Sequence, residues 1–232
     1  MIIELQHIYK TYPDQSGLSR HKVLDDISLC INARDAIAII GPSGSGKTTL
    51  LNIIGSLDKA DSGNLKFDNE DLLQLREAKL AEIRMRKIGF VFQWHHLLPQ
   101  LNLIENVLLP TLMIKDKQRR QYLKERAHYL LEKTGLQNKI KQLPGQLSGG
   151  ESQRAAVVRA LINEPEIILA DEPTGSLDSE AAAQIGNLLS DIRKEQKIAL
   201  LVVTHSMELA ANMDVVYNLN QGKLILHKQN NS

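Results

Sequence analysis

Nine consecutive residues, Gly41-Pro42-Ser43-Gly44-Ser45-Gly46-Lys47-Thr48-Thr49, fit the spacing G-x-x-x-x-G-K-[ST]. An apolar run, Ala36 to Ile40, leads into them, and Leu50-Leu51-Asn52-Ile53-Ile54 follows. The order reads as strand, glycine loop and helix. Glycines let the backbone curl so that successive N–H groups cradle phosphate oxygens, and the helix start adds partial positive charge at the same point. Lys47 can reach the β- and γ-phosphates, and the Thr48 hydroxyl can ligate Mg²⁺. The chemistry expected here is binding of a nucleoside triphosphate.

Hydrolysis needs further groups, and three apolar runs deliver them. Asp171 and Glu172 directly follow the run Glu166 to Ala170. In an open α/β sheet, ligands sit at the carboxyl ends of the strands, so Asp171 is expected to bind Mg²⁺. Glu172 is expected to orient and partly deprotonate the attacking water. Pro173 restrains the turn that follows, and Gly175 lets it reverse. His205 ends the run Ile198 to Thr204, where it can donate to the γ-phosphate or hold the water. Gln93 ends the run Ile88 to Phe92, and its amide can touch both Mg²⁺ and water. The expected catalytic set is therefore Lys47, Gln93, Glu172 and His205, with Thr48, Gln93 and Asp171 around the metal.

Leu147-Ser148-Gly149-Gly150-Glu151 opens a helix-like run after the break at Pro144-Gly145. These residues allow two readings, a well-capped helix start and a second anion site. The chain already carries a phosphate loop far away in sequence, so a second anion site calls for the nucleotide of another copy.

Elements must position these groups. The 232 residues carry a net charge of +1 and no basic block, so no nucleic-acid partner is expected. No apolar run approaches the roughly 18 residues that span a bilayer. Met1 to His7 lacks a secretory pattern, which favours a soluble cytoplasmic chain. The single cysteine, Cys30, excludes an internal disulfide and is expected to be a buried, inert thiol. Strands are expected from Ile3 to about Lys10, from Ile27 to Ile31 and from Asn64 to Asp68, with a surface loop from Tyr12 to Arg20. Early strands that do not alternate with helices predict a small antiparallel layer beside a parallel sheet. Helices are expected over Leu72–Arg86, Asp116–Thr134 and Ser179–Lys194, the second with Leu123, Ala127, Leu130 and Leu131 on one face and a cap at Gly135. Val215–Leu219 and Lys223–Leu226 read as a hairpin, and Asn230 to Ser232 as a frayed tail. The class predicted is α/β, a P-loop NTPase (RecA-like) core with an antiparallel β subdomain. Residues 1–92 and 162–232 are assigned to that core, and 93–161 to an inserted α-helical subdomain.

In order and spacing, Gly41–Thr49, Gln93, Leu147–Glu151, Ile167–Glu172, Ser176-Leu177-Asp178 and His205 resemble the nucleotide-binding subunit of an ABC transporter. The Ser-Gly-Gly signature is the specific part. The resemblance implies a head-to-tail homodimer with ATP between one copy's phosphate loop and the other's Ser148, Gly149, Gly150 and Glu151, Asp178 linking the two sites. Tyr12 matches the aromatic that stacks on adenine, with Tyr9 as a second candidate. The segment Gln93 to Pro110, with Ile54–Asp58 and Ala170–Gly175, is similar to the lipoprotein-releasing (LolD-type) branch, and MacB-like and FtsE-like ATPases share much of it. That branch implies ATP hydrolysis on the cytoplasmic side of the inner membrane, passed through the helical subdomain to integral membrane subunits. Three positions depart from the family pattern: Arg34 where Gly is usual, Ser206 where Asp is common, and Glu151 where Gln is frequent. His95-His96 has no neighbouring Cys or acidic cluster and is not expected to bind metal.

Overall fold

The computed structural model describes residues 1–14 and 20–229. Most of the expected Tyr12–Arg20 loop and the whole Asn230–Ser232 tail lie outside the described residues. The chain opens with β1 (Ile3–Pro13), β2 (Arg20–Ile31) and β3 (Ala36–Ile40), then α1 (Lys47–Ile54). Next come β4 (Ser62–Phe67), β5 (Glu70–Asp71), α2 (Glu77–Lys87) and β6 (Ile88–Val91). Three helices follow, α3 (Leu103–Leu108), α4 (Lys117–Lys133) and α5 (Gly149–Leu161). The end alternates β7 (Ile167–Asp171), α6 (Ser179–Gln196), β8 (Ala199–Val203) and α7 (Met207–Ala211) before the hairpin β9 (Val215–Asn220) and β10 (Lys223–Gln229).

Two sheets result, a four-stranded one in the order β2-β1-β4-β5 and a six-stranded one in the order β10-β9-β3-β8-β7-β6. The first is antiparallel. In the second, β9, β3, β8, β7 and β6 run parallel and β10 closes the edge antiparallel. Alternation along the buried strands divides the interior. Ala36, Ala38, Ile168, Ala170, Leu200 and Val202 face a core shared with α3 to α7. Ile37, Ile39, Ile167, Leu169, Leu201 and Val203 face a second core with α1, α2 and the antiparallel sheet. The protein is thus an α/β cassette with a helical insert, its six-stranded sheet covered on both faces.

Some boundaries differ from expectation. β2 begins at Arg20, seven residues before the expected start at Ile27, because His21 and Arg20 register against Tyr12 and Pro13 and Leu24 already joins the core. Tyr12 and Pro13 therefore end β1 instead of opening a loop. The charged start is tolerated because β2 is a sheet edge. Cys30 is exposed, contrary to expectation. Its neighbours Leu29 and Ile31 take the buried face, so the two-residue period turns the thiol outward. The region Leu72–Arg86 divides into a 3₁₀ turn, Leu72–Gln74, and α2. In α4, Leu123, Ala127, Leu130 and Leu131 are buried as the spacing predicts. Gly135 follows at φ +71.

Candidate functional site

β3 is buried along its length and emerges at Gly41. The loop then turns tightly under β2, where a Cβ on Gly46 would lie 2.8 Å from Val23 Cγ1 with φ at +100. Only glycine fits there. α1 starts without a side-chain cap, leaving its first amides for an anion. The buried Lys47 ammonium donates to the carbonyls of Gly41 (2.8 Å) and Pro42 (3.0 Å), which holds it beneath the loop. A cleft of about 680 Å³ opens above, lined by loop residues together with Tyr12, Gln93, Glu172 and His205.

The strand ends converge on this cleft. Thr48 Oγ1 donates to Asp171 Oδ1 (3.2 Å), joining the start of α1 to the end of β7. Burial pushes the Asp171 carboxyl above its usual range, the Thr48 hydrogen bond opposes this, and the charge of Glu172 adds to it. A hydroxyl and a carboxylate side by side are the hard oxygen donors that suit Mg²⁺. Glu172 sits at φ +44, a left-handed conformation for a non-glycine residue. There its Oε2 accepts from Thr204 Oγ1 (2.9 Å) and from the His205 amide (3.2 Å). His205 Nδ1 lies 2.9 Å from Glu172 Oε1. Gln93 approaches the turn after Glu172, where a Cβ on Gly175 would come within 3.1 Å of its Nε2.

Ser148, Gly149, Gly150, Glu151 and Asp178 line a different cleft, of about 420 Å³, which shares no lining residue with the first. Ser148 caps α5: its hydroxyl accepts from the Glu151 amide (3.2 Å), and Glu151 Oε2 accepts from the Ser148 amide (2.8 Å). Hydrogen bonds from Ser148, with Lys139 nearby, hold the Glu151 carboxyl below its usual range. Asp178 caps α6 by accepting from the Ala181 amide (2.8 Å). Within one chain, the expected ATP-binding residues thus fall into two separate groups.

Of the two aromatic candidates, Tyr12 lines the phosphate-loop cleft and Tyr9 does not. Ser206 caps α7 by accepting from the Leu209 amide (3.2 Å), so the departure from Asp keeps the cap. Arg159 donates to the carbonyls of His95 (2.6 Å) and His96 (2.7 Å), tying that segment to α5. Sequence reasoning missed Thr204 and Gln153. Thr204 sits fully buried before His205, and only its hydroxyl at a strand end hints at a role. Gln153 is 1% exposed and donates to the carbonyls of Phe92 and Pro173, both at 2.9 Å. A lone amide within the helical run from Gly149 to Leu161 was its only signal.

The family model for ABC transporters matches residues 24–175. The chain belongs to the ABC transporter family, and it is an ABC-type ATPase that binds ATP. Its relatives include the lipoprotein-releasing system ATP-binding protein LolD of Legionella pneumophila (strain Paris), 42% identical over 97% of each chain. Another is the uncharacterized ABC transporter ATP-binding protein YvrO of Bacillus subtilis (strain 168), 42% identical over 98% of this chain and 97% of that one. Among solved structures, the dimeric bacterial ABC transporter cassette MJ0796 superimposes with a TM-score of 0.89 at 37% identity, covering 100% of both chains. The same cassette in a dimeric post-hydrolysis state bound to ADP and Pi gives a TM-score of 0.88. Among the described residues, no helix is long and apolar enough to cross a membrane.

Proposed function

We propose that this chain is the ATP-hydrolysing subunit of an inner-membrane transporter that releases lipoproteins, acting as a head-to-tail homodimer on the cytoplasmic side. The observation that carries the reading is the division of the site. Tyr12, the phosphate loop, Gln93, Glu172 and His205 line one cleft, while Ser148, Gly149 and Gly150 line another. Two copies arranged head to tail bring each complementary pair together, as suits the dimeric cassette of similar structure. The cargo follows from the LolD relatives, which match over nearly the full chain.

Phosphate binding falls to the loop amides and Lys47, whose ammonium exchanges backbone carbonyls for phosphate oxygens. Thr48, Asp171 and Gln93 would hold Mg²⁺, which when bound neutralises charge on the β- and γ-phosphate oxygens. Glu172 acts as general base toward the attacking water, and Thr204 and the His205 amide fix its carboxylate. His205 is placed by its contact with Glu172 to meet the γ-phosphate. Membrane subunits dock on the helical subdomain beside an apolar groove of about 500 Å³ lined by Leu57, Met85, Phe90, Phe92, Leu109 and Pro110. Trp94, Leu112 and Met113 stand exposed on the 93–114 segment.

Glu172→Gln tests the chemistry. It keeps the hydrogen-bonding shape but removes the base, so nucleotide binding persists and turnover falls at least about 100-fold. ATPase rates at the wild-type level in this variant would sink Glu172 as the base. Affinity capture of the native protein, followed by identification of the membrane subunit, tests the transporter assignment.

A further inference from the structure

Tyr12 is the only Phe, Tyr or Trp among the described residues lining the phosphate-loop cleft, and it is 36% exposed. It stands at the end of β1, yet its position is fixed from elsewhere. The phenol donates to Asp58 Oδ2 at 2.5 Å. Asp58 Oδ1 accepts from Lys10 Nζ (2.8 Å) and from the Lys59 amide (2.7 Å). Lys10, itself 8% exposed, also donates to the Lys59 carbonyl (2.7 Å). Its ammonium lies 4.9 Å from the centroid of the Tyr12 ring, and so covers part of that ring.

Asp58 is anchored in turn to the helix that starts at the phosphate loop. Its amide and that of Leu57 both donate to the Asn52 carbonyl, at 3.2 and 2.8 Å. α1 therefore runs from the loop at its N-terminus to the group holding Tyr12 just past its C-terminus. Burial opposes the charge on Asp58, but hydrogen bonds from Lys10, Tyr12 and Lys59 hold its carboxyl below the usual range. The acceptor is thus an anion, and Thr49 is the second side chain that hydrogen-bonds the Tyr12 hydroxyl.

We propose that Asp58 is a positioning residue for nucleotide recognition: through the Tyr12 hydroxyl it sets the ring as a platform for the adenine base. The proposal rests on the placement of ATP in the phosphate-loop cleft argued above. Asp58 is not among the described residues that line that cleft. It acts by removing rotational freedom from Tyr12 before the base arrives, so its loss is felt in affinity for the base and not for the phosphates.

Titration calorimetry of the full chain with ADP and with inorganic tripolyphosphate separates the two. Asp58→Asn keeps the size but replaces the charged acceptor, and is expected to weaken ADP roughly three- to tenfold while leaving tripolyphosphate within twofold. Tyr12→Phe deletes outright the hydrogen bond that Asp58→Asn only weakens, and should reduce ADP affinity at least as far. The double variant should be no weaker than Tyr12→Phe alone, the mark of a shared interaction. Wild-type ADP affinity in Asp58→Asn overturns the proposal, as does equal weakening of ADP and tripolyphosphate, which indicates a distorted loop. Tyr12→Ala separates the two layers of argument. If it loses ADP affinity while Asp58→Asn does not, the platform stands and the role of Asp58 is refuted. If it binds ADP like the wild type, the base does not rest on Tyr12 and the reading beneath the proposal fails.

Discussion

Gln153 offers the sharpest test of how the cassette holds its shape. Its amide sits on α5, 1% exposed, and donates to carbonyls that adjoin two site residues: Phe92, just before Gln93, and Pro173, just after Glu172. Gln153→Leu keeps the volume and removes both donors. Each carbonyl then loses that partner, and at about 1–1.5 kcal/mol per lost hydrogen bond the cost is about 2–3 kcal/mol. Gln153→Glu is worse at neutral pH, because a carboxylate would face two carbonyl oxygens. Burial raises the pKa of such a carboxyl by about 3 units or more, and at 1.36 kcal/mol per unit the cost is about 4 kcal/mol. The sign follows. A carboxyl whose folded pKa lies above its unfolded value destabilises most above the folded pKa, and the deficit shrinks as pH falls toward the unfolded value near 4.3. Urea unfolding followed by far-ultraviolet circular dichroism, at pH 7.5 and 5.5, measures all of this. The variant Gln153→Glu should recover part of its loss at pH 5.5, and Gln153→Leu should lose the same at both. Two variants of equal stability, or a loss below about 0.5 kcal/mol for the leucine, would refute the account of Gln153 as a double donor.

Two further predictions concern the backbone. A Cβ on Gly89 in β6 would lie 2.4 Å from the Ala160 carbonyl oxygen, so Gly89→Ala must push α5 off the sheet. A cost of about 1–3 kcal/mol is expected, with a Tm loss of about 2–4 °C per kcal/mol in a thermal melt. Arg34 turns the chain from β2 to β3 at φ +70, a conformation that costs an L-residue about 1–2 kcal/mol. Arg34→Gly relieves that at some cost in chain entropy, for a net gain of about 0.5–1 kcal/mol and a Tm higher by about 2 °C.

Much of this was legible in the residues, for reasons that differ by element. The parallel strands announce themselves because both faces are buried: Ile37 to Ile40 and Leu200 to Val203 leave no polar side chain to mislead. The spacing of Leu123, Ala127, Leu130 and Leu131 fixes the buried face of α4 just as directly. Cys30 was misjudged because a residue type is a weaker guide than strand parity, and its neighbours Leu29 and Ile31 had already claimed the inside. β2 ran longer than its apolar residues because backbone pairing to β1, which no side chain reports, continues to Arg20. In the site, motif residues were visible because their chemistry requires particular side chains at particular spacings. Thr204, Gln153 and Asp58 were not, because each acts on a group distant in sequence, Glu172, Phe92 and Tyr12.

Those same long-range contacts bear on how the two clefts communicate. α5 begins at Ser148, in the cleft that would receive a partner's nucleotide, and ends against β6. One turn in, Gln153 grips the backbone beside Gln93 and beside Glu172. Ser176 adds a further link by donating to the Gln93 carbonyl (3.0 Å), from the segment that leads to Asp178. Gln153 is buried with both its donors engaged, which ties the start of α5 to the strand ends. Under the proposed dimer, Gln153 and Ser176 therefore link closure on ATP in one cleft to the strand ends that carry Gln93 and Glu172 in the other.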